Sequence, residues 1–554
     1  MLNITLDVIL KVFWNAPIQG TVEISSYYYM VAIVLLPMAM VEYDDDQISV
    51  DLLFNHFPGW LKRISLLITF TATAGMLSVL TWRTGQDAIR AFNVGEVVMG
   101  SRQVIVWPAR CMLPLGFGMS MLTIGWIGVG CLFGLLALRM SIGIALMIVS
   151  FVGISVMLNT TAAFGIVSAL PFTFIGDWSL TAIPMFLLMG FIAANTGLTT
   201  GAFDLLKLLL ARVPGGLASA SVGACGLFAA ASGSSIATTA AMSRIAVPEM
   251  LRAKYHPSLA TGVVAASGTL GSLIPPSILM VLYGIFTEQS IGQLFIAGVI
   301  PGVISALIYM GMITIRCALN PSLAPRSNEI FNLSRFFSLL WSVWPFPVLI
   351  MGVLGGIFGG FFTPTEAGGV GASLAILIAV LRRSLTWDAM RSAIRQTVVA
   401  TSSIFFLSIG AIMFTRFMGL SGVPRSLTDA MLSVSDNQIV IILMVAGLFI
   451  ILGMVIDSIG LMLLTLPVLL PVLESADINL IWFGIISIKL LEIGLVTPPV
   501  GLNLYVLHSA LSGQVKLGDI ISGTTWFIAM DILTLFLLIA FPALSLFLPS
   551  LMAG

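Results

Sequence analysis

The chain has 554 residues, of which 58% are hydrophobic and only 9% are charged. This composition, with a mean hydropathy of +1.09, excludes an ordinary soluble domain, because about a quarter of the residues in such a domain are charged. Basic and acidic residues both number 24, so the formal net charge of zero gives no indication of nucleic-acid binding.

Several segments approach the roughly 20 apolar residues that a bilayer-spanning helix needs. Clear examples are residues 61–82, 113–137, 291–315, 366–381, 397–418 and 521–548. The sequence therefore predicts an all-α, polytopic membrane protein.

Residues 217–250 do not fit an ordinary lipid-facing helix. They contain ASGSSIATTAAMS, in which small and hydroxyl-bearing residues replace the large apolar ones that lipid contact favours. Such a stretch predicts a re-entrant hairpin, which enters and leaves the membrane on one side and packs against protein. Residues 438–474 occupy the corresponding place later in the chain.

Two apolar segments are each interrupted by Pro-Pro, in GSLIPPSILM at residues 271–280 and in GLVTPPVGLN at residues 494–503. Proline removes a backbone donor and frees carbonyl groups, which hydrocarbon tolerates only where they face protein or a cavity. Converging carbonyls suit a hard cation, and the N-termini of the broken helices suit a carboxylate. The two breaks therefore predict two cation sites that flank an anion site, with a pair of structural kinks as the alternative.

A constant offset relates the two regions. Pro275 and Pro498 begin the two Pro-Pro pairs, and 498 − 275 = 223. The same offset relates Gly271 to Gly494, Pro248 to Pro471 and Ser235 to Ser458. We predict two repeats, residues 181–316 and 397–548. Residues 317–396 join them and contain about two more helices, one of which is expected at residues 337–358.

The charges of two loops predict the orientation of the repeats. Arg252 and Lys254 follow the first hairpin, whereas Glu474 and Asp477 follow the second with no basic residue between them. Because basic loops stay in the cytoplasm, the two loops are expected on opposite sides of the membrane. Repeats of inverted topology are typical of secondary transporters.

These segments resemble the large membrane subunit of tripartite ATP-independent periplasmic (TRAP) transporters. The resemblance covers roughly residues 140–554 and rests on LRAKYHPSLATGVVAASGTLGSLIPPSILMVLYGIFTEQSIGQLFIAGVIPG, GGFFTPTEAGGVGA and GLVTPPVGLNLYVL. Ahead of it, GTVEISSYYYM and EYDDDQISVDLLFNHFP resemble the small membrane subunit. We therefore expect a small-subunit-like scaffold domain at residues 1–135, fused to a large-subunit-like transport domain at residues 136–554.

The resemblance implies a sodium-driven importer of the bacterial inner membrane. It implies an elevator-type transporter with inverted repeats, in which two re-entrant hairpins and two broken helices form the moving part among membrane lipids. A periplasmic substrate-binding protein would deliver an organic acid, a carboxylate, and no ATPase subunit would take part. The alternative is a stand-alone sodium- or proton-coupled carboxylate symporter without a binding protein, against which the fused amino-terminal block argues.

The resemblance also implies where sodium, the coupling ion, binds. The first set of candidate ligands, at the first hairpin tip and the first break, is Ser232, Ser234, Gly271, Ile274 and Pro276. The second set is Gly453, Gly494, Thr497 and Val500. Ordinary small-residue packing between helices is the alternative for the first set. Because Thr497 stands where the first repeat has Ile274, the two sites are not expected to be chemically identical.

Polar residues near the same centre are candidates for substrate contact. They are Ser235, Thr238, Thr239, Ser267, Thr269, Asp457 and Asn503. Serine and threonine in membrane helices also bond their own backbone, which is the alternative role for the hydroxyls. Asp457, the offset partner of Ser234, is either a functional carboxylate near sodium or substrate, or the cap of a helix.

Three further residues have structural explanations. Lys489 and Glu492 are spaced i, i+3 and are predicted to pair, and Glu366 is predicted to stabilise the first turn of a helix.

An intramembrane enzyme is disfavoured because His56, His256 and His508 have no HExxH-like spacing. No GxxxxGK[ST] sequence is present, which agrees with a transporter that has no ATPase.

Overall fold

The computed structural model of the chain describes most residues from 160 to 551. Within that range it leaves out residues 199, 326–331, 422, 436, 455, 500 and 512–514. Ahead of it, the described residues are 4–7, 10, 18, 21–37, 59–94, 97–98, 104–105 and 142–157. The predicted boundary at residues 135 and 136 lies outside the described residues, as does the whole segment EYDDDQISVDLLFNHFP.

Helices dominate the described residues. Those before the first hairpin are α1 (Thr21–Ile24), α2 (Val31–Leu35), α3 (Gly59–Val94), α4 (Ile142–Met157), α5 (Thr160–Ile175), α6 (Ala182–Asn195) and α7 (Thr200–Leu209). A π-helical turn, Ser25–Met30, joins α1 to α2, and a 3₁₀ turn, Trp178–Thr181, precedes α6. Two short strands, β1 (Val97–Val98) and β2 (Val104–Ile105), pair antiparallel.

The first repeat and the connecting region supply the next helices. They are α8 (Gly216–Ser232), α9 (Ser235–Arg252), α10 (Pro257–Ser267), α11 (Leu270–Leu273), α12 (Ile278–Phe286), α13 (Ile291–Leu319), α14 (Leu333–Val343), α15 (Pro345–Phe358) and α16 (Pro364–Leu381). The second repeat supplies α17 (Trp387–Ser421), α18 (Val423–Val434), α19 (Gln438–Gly453), α20 (Ser458–Ser475), α21 (Leu480–Val496), α22 (Leu502–Ala510), α23 (Leu517–Ala540) and α24 (Ala543–Ser550).

Six helices of the described part are long and apolar enough to cross a membrane, or eight spans if two bent helix pairs each count as one. One bent pair is the predicted first broken helix, in which Pro257–Leu273 and Ile278–Phe286 meet at 41°. The other corrects the single helix expected at residues 337–358, because α14 and α15 meet there at 43°. Pro345 begins α15, and a proline cannot donate the backbone hydrogen bond that would continue α14. The predicted all-α, polytopic membrane fold is thus confirmed.

The described residues form two compact units. The first comprises residues 1–184, 394–436 and 462–476, and the second comprises residues 185–393, 437–461 and 477–554. In the first unit, α4 approaches α17 closely, since a Cβ at Gly410 would lie 2.5 Å from the Gly143 carbonyl oxygen. The Ser402 hydroxyl donates to the Val34 carbonyl at 2.7 Å and so ties α17 to α2.

The second unit contains both Pro-Pro breaks around one apolar core. Phe228, Met250, Leu259, Tyr309 and Phe527 bring α8, α9, α10, α13 and α23 into this core. Helices α10 and α23 meet through glycines, because a Cβ at Gly262 would lie 2.5 Å from the carbonyl carbon of Gly523. Such small-residue contacts let membrane helices approach without a gap.

Both predicted re-entrant segments fold as hairpins that are closed at the base. In the first, the Leu217 amide donates to the Tyr255 hydroxyl at 3.3 Å. In the second, Nε2 of Gln438 donates to the Asp477 carbonyl at 3.0 Å, so the chain returns beside the start of α19. The hairpin predicted at residues 217–250 is thus confirmed, and the return of the chain at Asp477 agrees with the one predicted at residues 438–474. That the two segments are re-entrant in the membrane stays a prediction.

The element order of the first repeat recurs in the second. Each hairpin is followed by a helix, a Pro-Pro break, a short helix and a long helix, and both Pro-Pro bonds are cis. Three offset pairs share a local conformation: the N-caps Ser234 and Asp457, the left-handed Lys254 and Asp477, and the N-caps His256 and Asn479. These matches support the repeat, and its orientation across the membrane stays a prediction.

Candidate functional site

The tip of the first hairpin reverses the chain in two residues. α8 ends at Ser232, and Gly233 follows with φ of 61°, a left-handed conformation that favours glycine. Ser234 is extended and caps α9, since its hydroxyl oxygen accepts from the Ala237 amide at 3.4 Å. The tip therefore presents backbone and hydroxyl oxygens rather than large side chains.

The first break leaves four residues outside any helix. α11 ends at Leu273, Ile274 is extended, and Ser277 caps α12 by accepting from the Met280 amide at 3.5 Å. The Ile274 side chain packs against Gly302, where a Cβ would lie 2.7 Å from its Cγ1. The backbone oxygen is therefore what Ile274 can offer as a ligand.

The tip of the first hairpin lies directly against the first break. A Cβ at Gly271 would lie 2.8 Å from the carbonyl carbon and oxygen of Ser234. A Cβ at Gly233 would lie 2.6 Å from the Pro276 carbonyl oxygen, and the Ile278 amide donates to the Gly233 carbonyl at 3.4 Å. Two glycines, one on each side, thus make the close approach possible.

Hydroxyl groups complete this arrangement. The hydroxyls of Ser232 and Thr238 lie 2.9 Å apart, and that of Thr238 donates to the Ser234 carbonyl at 2.8 Å. We call Ser232, Ser234, Thr238, Gly271 and Pro276 the first oxygen cluster. It unites four of the predicted sodium ligands, and it includes Thr238, which the sequence had suggested for substrate contact.

The second break uses the same kind of approach with different partners. A Cβ at Gly494 would lie 2.7 Å from the Cα and 2.8 Å from the carbonyl oxygen of Gly453, so α19 ends against α21. The Thr497 hydroxyl donates to the Ile493 carbonyl of its own helix at 2.5 Å. Val500, the remaining predicted ligand, lies outside the described residues.

Asp457 caps α20 and retains an unused oxygen. Its Oδ2 accepts from the amides of Ile459 and Gly460, both at 3.0 Å, so the expected cap is present. Its Oδ1 is buried without a hydrogen-bond partner. A buried carboxylate oxygen normally has a partner, and an unpaired one is suited to a cation or to a donor on a ligand.

The other substrate candidates fall into two groups. In the first, the Ser235 hydroxyl lies 2.5 Å from that of Ser272 and 3.4 Å from the Thr269 carbonyl. The Thr269 hydroxyl instead bonds its own helix, donating to the Ala266 carbonyl at 2.6 Å. Ser272 was not predicted, although it lies within the GSLIPP segment beside Gly271.

The second group contains polar atoms that the fold leaves unsatisfied. Thr239 Oγ1, Ser267 Oγ and Asn503 Oδ1 are buried and have no hydrogen-bond partner. Asn503 also joins α22 to α10, because its Nδ2 donates to the Ala265 carbonyl at 3.4 Å. Thr239 packs on Gly268, where a Cβ would lie 1.9 Å from its Oγ1. Unsatisfied buried groups of this kind are expected to meet water or ligand.

The predicted ion pair on α21 has a third member that sequence reasoning missed. Nζ of Lys489 lies 3.0 Å from Oε2 of Glu492 and 2.6 Å from Oδ1 of Asp531 on α23. Glu366 likewise takes its predicted place, since it forms a capping box with Thr363 at the start of α16. Asp531 could have been suspected from the sequence, because it is an acid inside the apolar segment 521–548.

Two family models match adjacent parts of this chain. The DctM component of the tripartite ATP-independent periplasmic transporter matches residues 129–544, and the DctQ component matches residues 1–127. The chain belongs to the TRAP transporter family. It carries both membrane components of a TRAP transporter in one polypeptide, as the resemblance of its two ends had suggested.

Several TRAP proteins are similar over most of the DctM region. The sialic acid large permease SiaM of Vibrio cholerae is 33% identical over 69% of this chain and 88% of its own length. The C4-dicarboxylate large permease DctM of Pseudomonas aeruginosa is 36% identical over 67% of this chain and 86% of its own. The isethionate permease DctMQ of Oleidesulfovibrio alaskensis is 32% identical over 70% of this chain and 61% of its own.

One solved structure has a similar fold. The YdaH transporter of Alcanivorax borkumensis superimposes with a TM-score of 0.52 over 73% of this chain and 97% of its own, at 13% identity. TRAP permeases are transport proteins rather than enzymes, and this one is a multi-pass protein of the bacterial inner membrane. The family normally works with a periplasmic substrate-binding protein.

Proposed function

We propose that this chain imports an organic acid by coupling its entry to that of sodium ions, with an elevator motion of the hairpins and broken helices. A periplasmic substrate-binding protein delivers the acid. The observation that carries the proposal is the contact of each hairpin with a broken helix, through Gly271 at Ser234 and through Gly494 at Gly453. Broken helices whose ends meet at glycines supply backbone oxygens and amides where ions and anions bind in secondary transporters.

The donors at the first oxygen cluster suit sodium. They are neutral hydroxyl and carbonyl oxygens, which hard cations prefer, and the ion neutralises the negative ends of the helix dipoles. At the second break, the Gly453, Gly494 and Thr497 carbonyls are the corresponding candidates. The unpartnered Oδ1 of Asp457 adds a negative charge at the tip of the second hairpin. Both regions therefore fit a monovalent cation, with different ligands.

An organic acid fits the remaining polar groups. Thr239, Ser267 and Asn503 offer unsatisfied oxygen atoms to the hydroxyl or amide groups of a substrate. Ser235 and Ser272 add hydroxyls beside the first break. The carboxylate itself is received by the N-terminal amides of broken helices and by the bound sodium. Relatives are named for sialic acid, C4-dicarboxylate and isethionate, all of them organic acids.

Uptake by proteoliposomes tests this function. Purified protein is reconstituted, and a radiolabelled acid is added with its binding protein under an inward sodium gradient. We expect accumulation that needs both sodium and the binding protein, with a sigmoidal dependence on sodium because two ion sites are proposed. Equal uptake in sodium-free buffer under a proton gradient contradicts sodium coupling.

The same vesicles separate the tripartite importer from a stand-alone symporter. Free acid without the binding protein is the control, at concentrations far above those used with the loaded binding protein. Uptake at the same rate without the binding protein would establish the stand-alone symporter instead. Vesicles without the membrane protein give the background.

A further inference from the structure

A buried cluster of charged side chains in the second unit joins three helices. Lys489 and Glu492 belong to α21, Asp531 to α23 and Tyr309 to α13, and the side chains of Lys489, Glu492 and Asp531 are wholly buried. The Tyr309 hydroxyl donates to Oδ1 of Asp531, the same oxygen that Lys489 contacts. Nζ of Lys489 also lies 5.8 Å from the centre of the Tyr309 ring. Asp531 is therefore the point at which α13, α21 and α23 meet.

Apolar packing alone does not fix where α21 lies along its axis. Its sequence, LIWFGIISIKLLEIGLV, is apolar apart from Ser487, Lys489 and Glu492. Apolar burial is non-directional, so neighbouring registers of such a helix bury similar areas. A buried polar or ionic contact can specify one register, because any other leaves charges unpaired.

The second break requires one particular register of α21. Gly494 meets Gly453 at backbone distance, where even a Cβ would lie 2.7 Å from the facing Cα. A slip of one residue moves the helix by about 1.5 Å and turns it by about 100°. Ile493 or Leu495 would then face Gly453, and the close contact would be lost.

The directional contacts of α21 are unevenly placed. Near its start, Nε1 of Trp482 donates to the Leu538 carbonyl at 2.8 Å, and the Tyr283 hydroxyl donates to the Leu480 carbonyl at 2.7 Å. Toward its end, Lys489 is the side chain that reaches another helix through an ion pair, and that partner is Asp531. Gly494 follows Lys489 within the same continuous helix, so a constraint on Lys489 is transmitted to the break.

We propose that Asp531 is a positioning residue for the second sodium site. It holds Lys489, fixes the register of α21 and thereby keeps Gly494 against Gly453. This inference rests on the proposed function, because it takes the second break to bind sodium. Asp531 itself touches neither the ion nor the substrate.

A graded pair of variants tests this role while the buried Lys489 keeps Glu492 as a charged partner. Tyr309→Phe combined with Asp531→Leu removes the link between the helices, and the charge-balanced Lys489–Glu492 pair remains on α21. Asp531→Asn is the milder change, since its amide oxygen still accepts from Lys489 and Tyr309 but carries no charge. The readout is the sodium-dependent rise in unfolding temperature of purified protein, which requires no transport.

The rise continues with the logarithm of the sodium concentration, so the proteins are compared at the sodium concentration that gives one fixed rise, which we call the sodium requirement. We expect the sodium requirement to increase about 10- to 100-fold in the double variant, as when the outer partners of metal ligands are removed. For Asp531→Asn we expect about a fivefold increase, because the contacts with Lys489 and Tyr309 are weakened but kept. The unfolding temperature without sodium should stay close to that of the wild type. A merely structural role of Asp531 would instead lower the unfolding temperature without sodium and leave the sodium requirement unchanged.

The outcomes separate this inference from the proposed function. A wild-type sodium requirement in the double variant overturns the positioning role while sodium binding stands. Should the double variant fail to fold, a wild-type sodium requirement in Asp531→Asn overturns it equally. Absence of any sodium-dependent rise in the wild-type protein overturns the proposed coupling and the inference together.

Discussion

The first and second hairpin tips perform the same structural task with different chemistry. At the first tip, Ser234 caps α9 through one long contact of 3.4 Å, and hydroxyls surround its carbonyl. At the second tip, Asp457 caps α20 through two contacts of 3.0 Å and keeps one oxygen free. Both copies thus have the helix cap and a glycine contact, but the cap is the neutral Ser234 in the first copy and the acid Asp457 in the second.

This difference shows which features the repeated architecture demands. Glycine at 271 and at 494 lies against another backbone in both copies, so each close approach is a requirement of the fold. The charge occurs in one copy alone, so a symmetric fold gives no packing reason for it. We therefore assign the glycines to geometry and propose that the carboxylate of Asp457 serves the function of one site.

The largest expected effect concerns the orientation of the two copies. In a background without Cys111, Cys131, Cys225 and Cys317, single cysteines at Ala253 and Ser475 mark the loops after the two hairpins; both positions are exposed. A membrane-impermeant thiol reagent should label Ala253→Cys only from the cytoplasm and Ser475→Cys only from the periplasm. Permeabilised cells are the control, in which both must react. Labelling of both from one side would refute the inverted repeat.

The glycine contacts are expected to give the next largest effect. Alanine at Gly271 or Gly494 places a Cβ 2.7–2.8 Å from backbone atoms, which cannot move as a flexible side chain can. Overpacking of this kind costs about 1–3 kcal/mol, so both variants should lose most of their uptake and some thermal stability. Unfolding temperature and sodium-driven uptake measure the two losses.

Two other glycines provide the matched control for this prediction. At Gly447 on α19 and Gly311 on α13, no atom outside the local helix backbone lies within 4 Å of the position that a Cβ would take. Alanine at either should be neutral or stabilising by about 0.5–1 kcal/mol, because alanine favours a helix interior. If Gly494→Ala behaves like Gly447→Ala, the contact with Gly453 is not required.

Features that depend on local chemistry could be predicted from the sequence. Pro-Pro, glycine and hydroxyl-rich segments determine backbone conformation nearby, so the breaks and hairpins were correctly predicted together with the pairing of Lys489 and Glu492. The Ser232–Thr238 contact could not be predicted from the sequence, because it depends on how the hairpin tip turns at Gly233. Asp531 was missed because its partner Lys489 is distant in sequence, and only the packing of α21 against α23 brings the two together.

Asp457→Asn separates the two roles of that residue. Asparagine is an equally good cap, so expression and stability should stay close to those of the wild type. Loss of the charge beside a proposed ion site should raise the sodium concentration for half-maximal uptake on the order of tenfold. Sodium titrations of uptake at matched protein density measure this shift. Superimposable curves for wild type and variant would reduce Asp457 to a cap and remove the functional difference between the two tips.

The smallest expected effect compares the two caps themselves. Ser234→Ala removes one long hydrogen bond but leaves the Ser234 carbonyl in the first oxygen cluster, so it should cost about 0.5 kcal/mol of stability. Asp457→Ala removes two shorter, charge-assisted bonds and should cost about 1–2 kcal/mol. Midpoints of thermal unfolding in sodium-free buffer compare these costs without the contribution of a bound ion. If the loss for Ser234→Ala equals that for Asp457→Ala, the acid gives no extra strength to the cap. Sodium or substrate binding would then be the remaining reason for an acid at position 457.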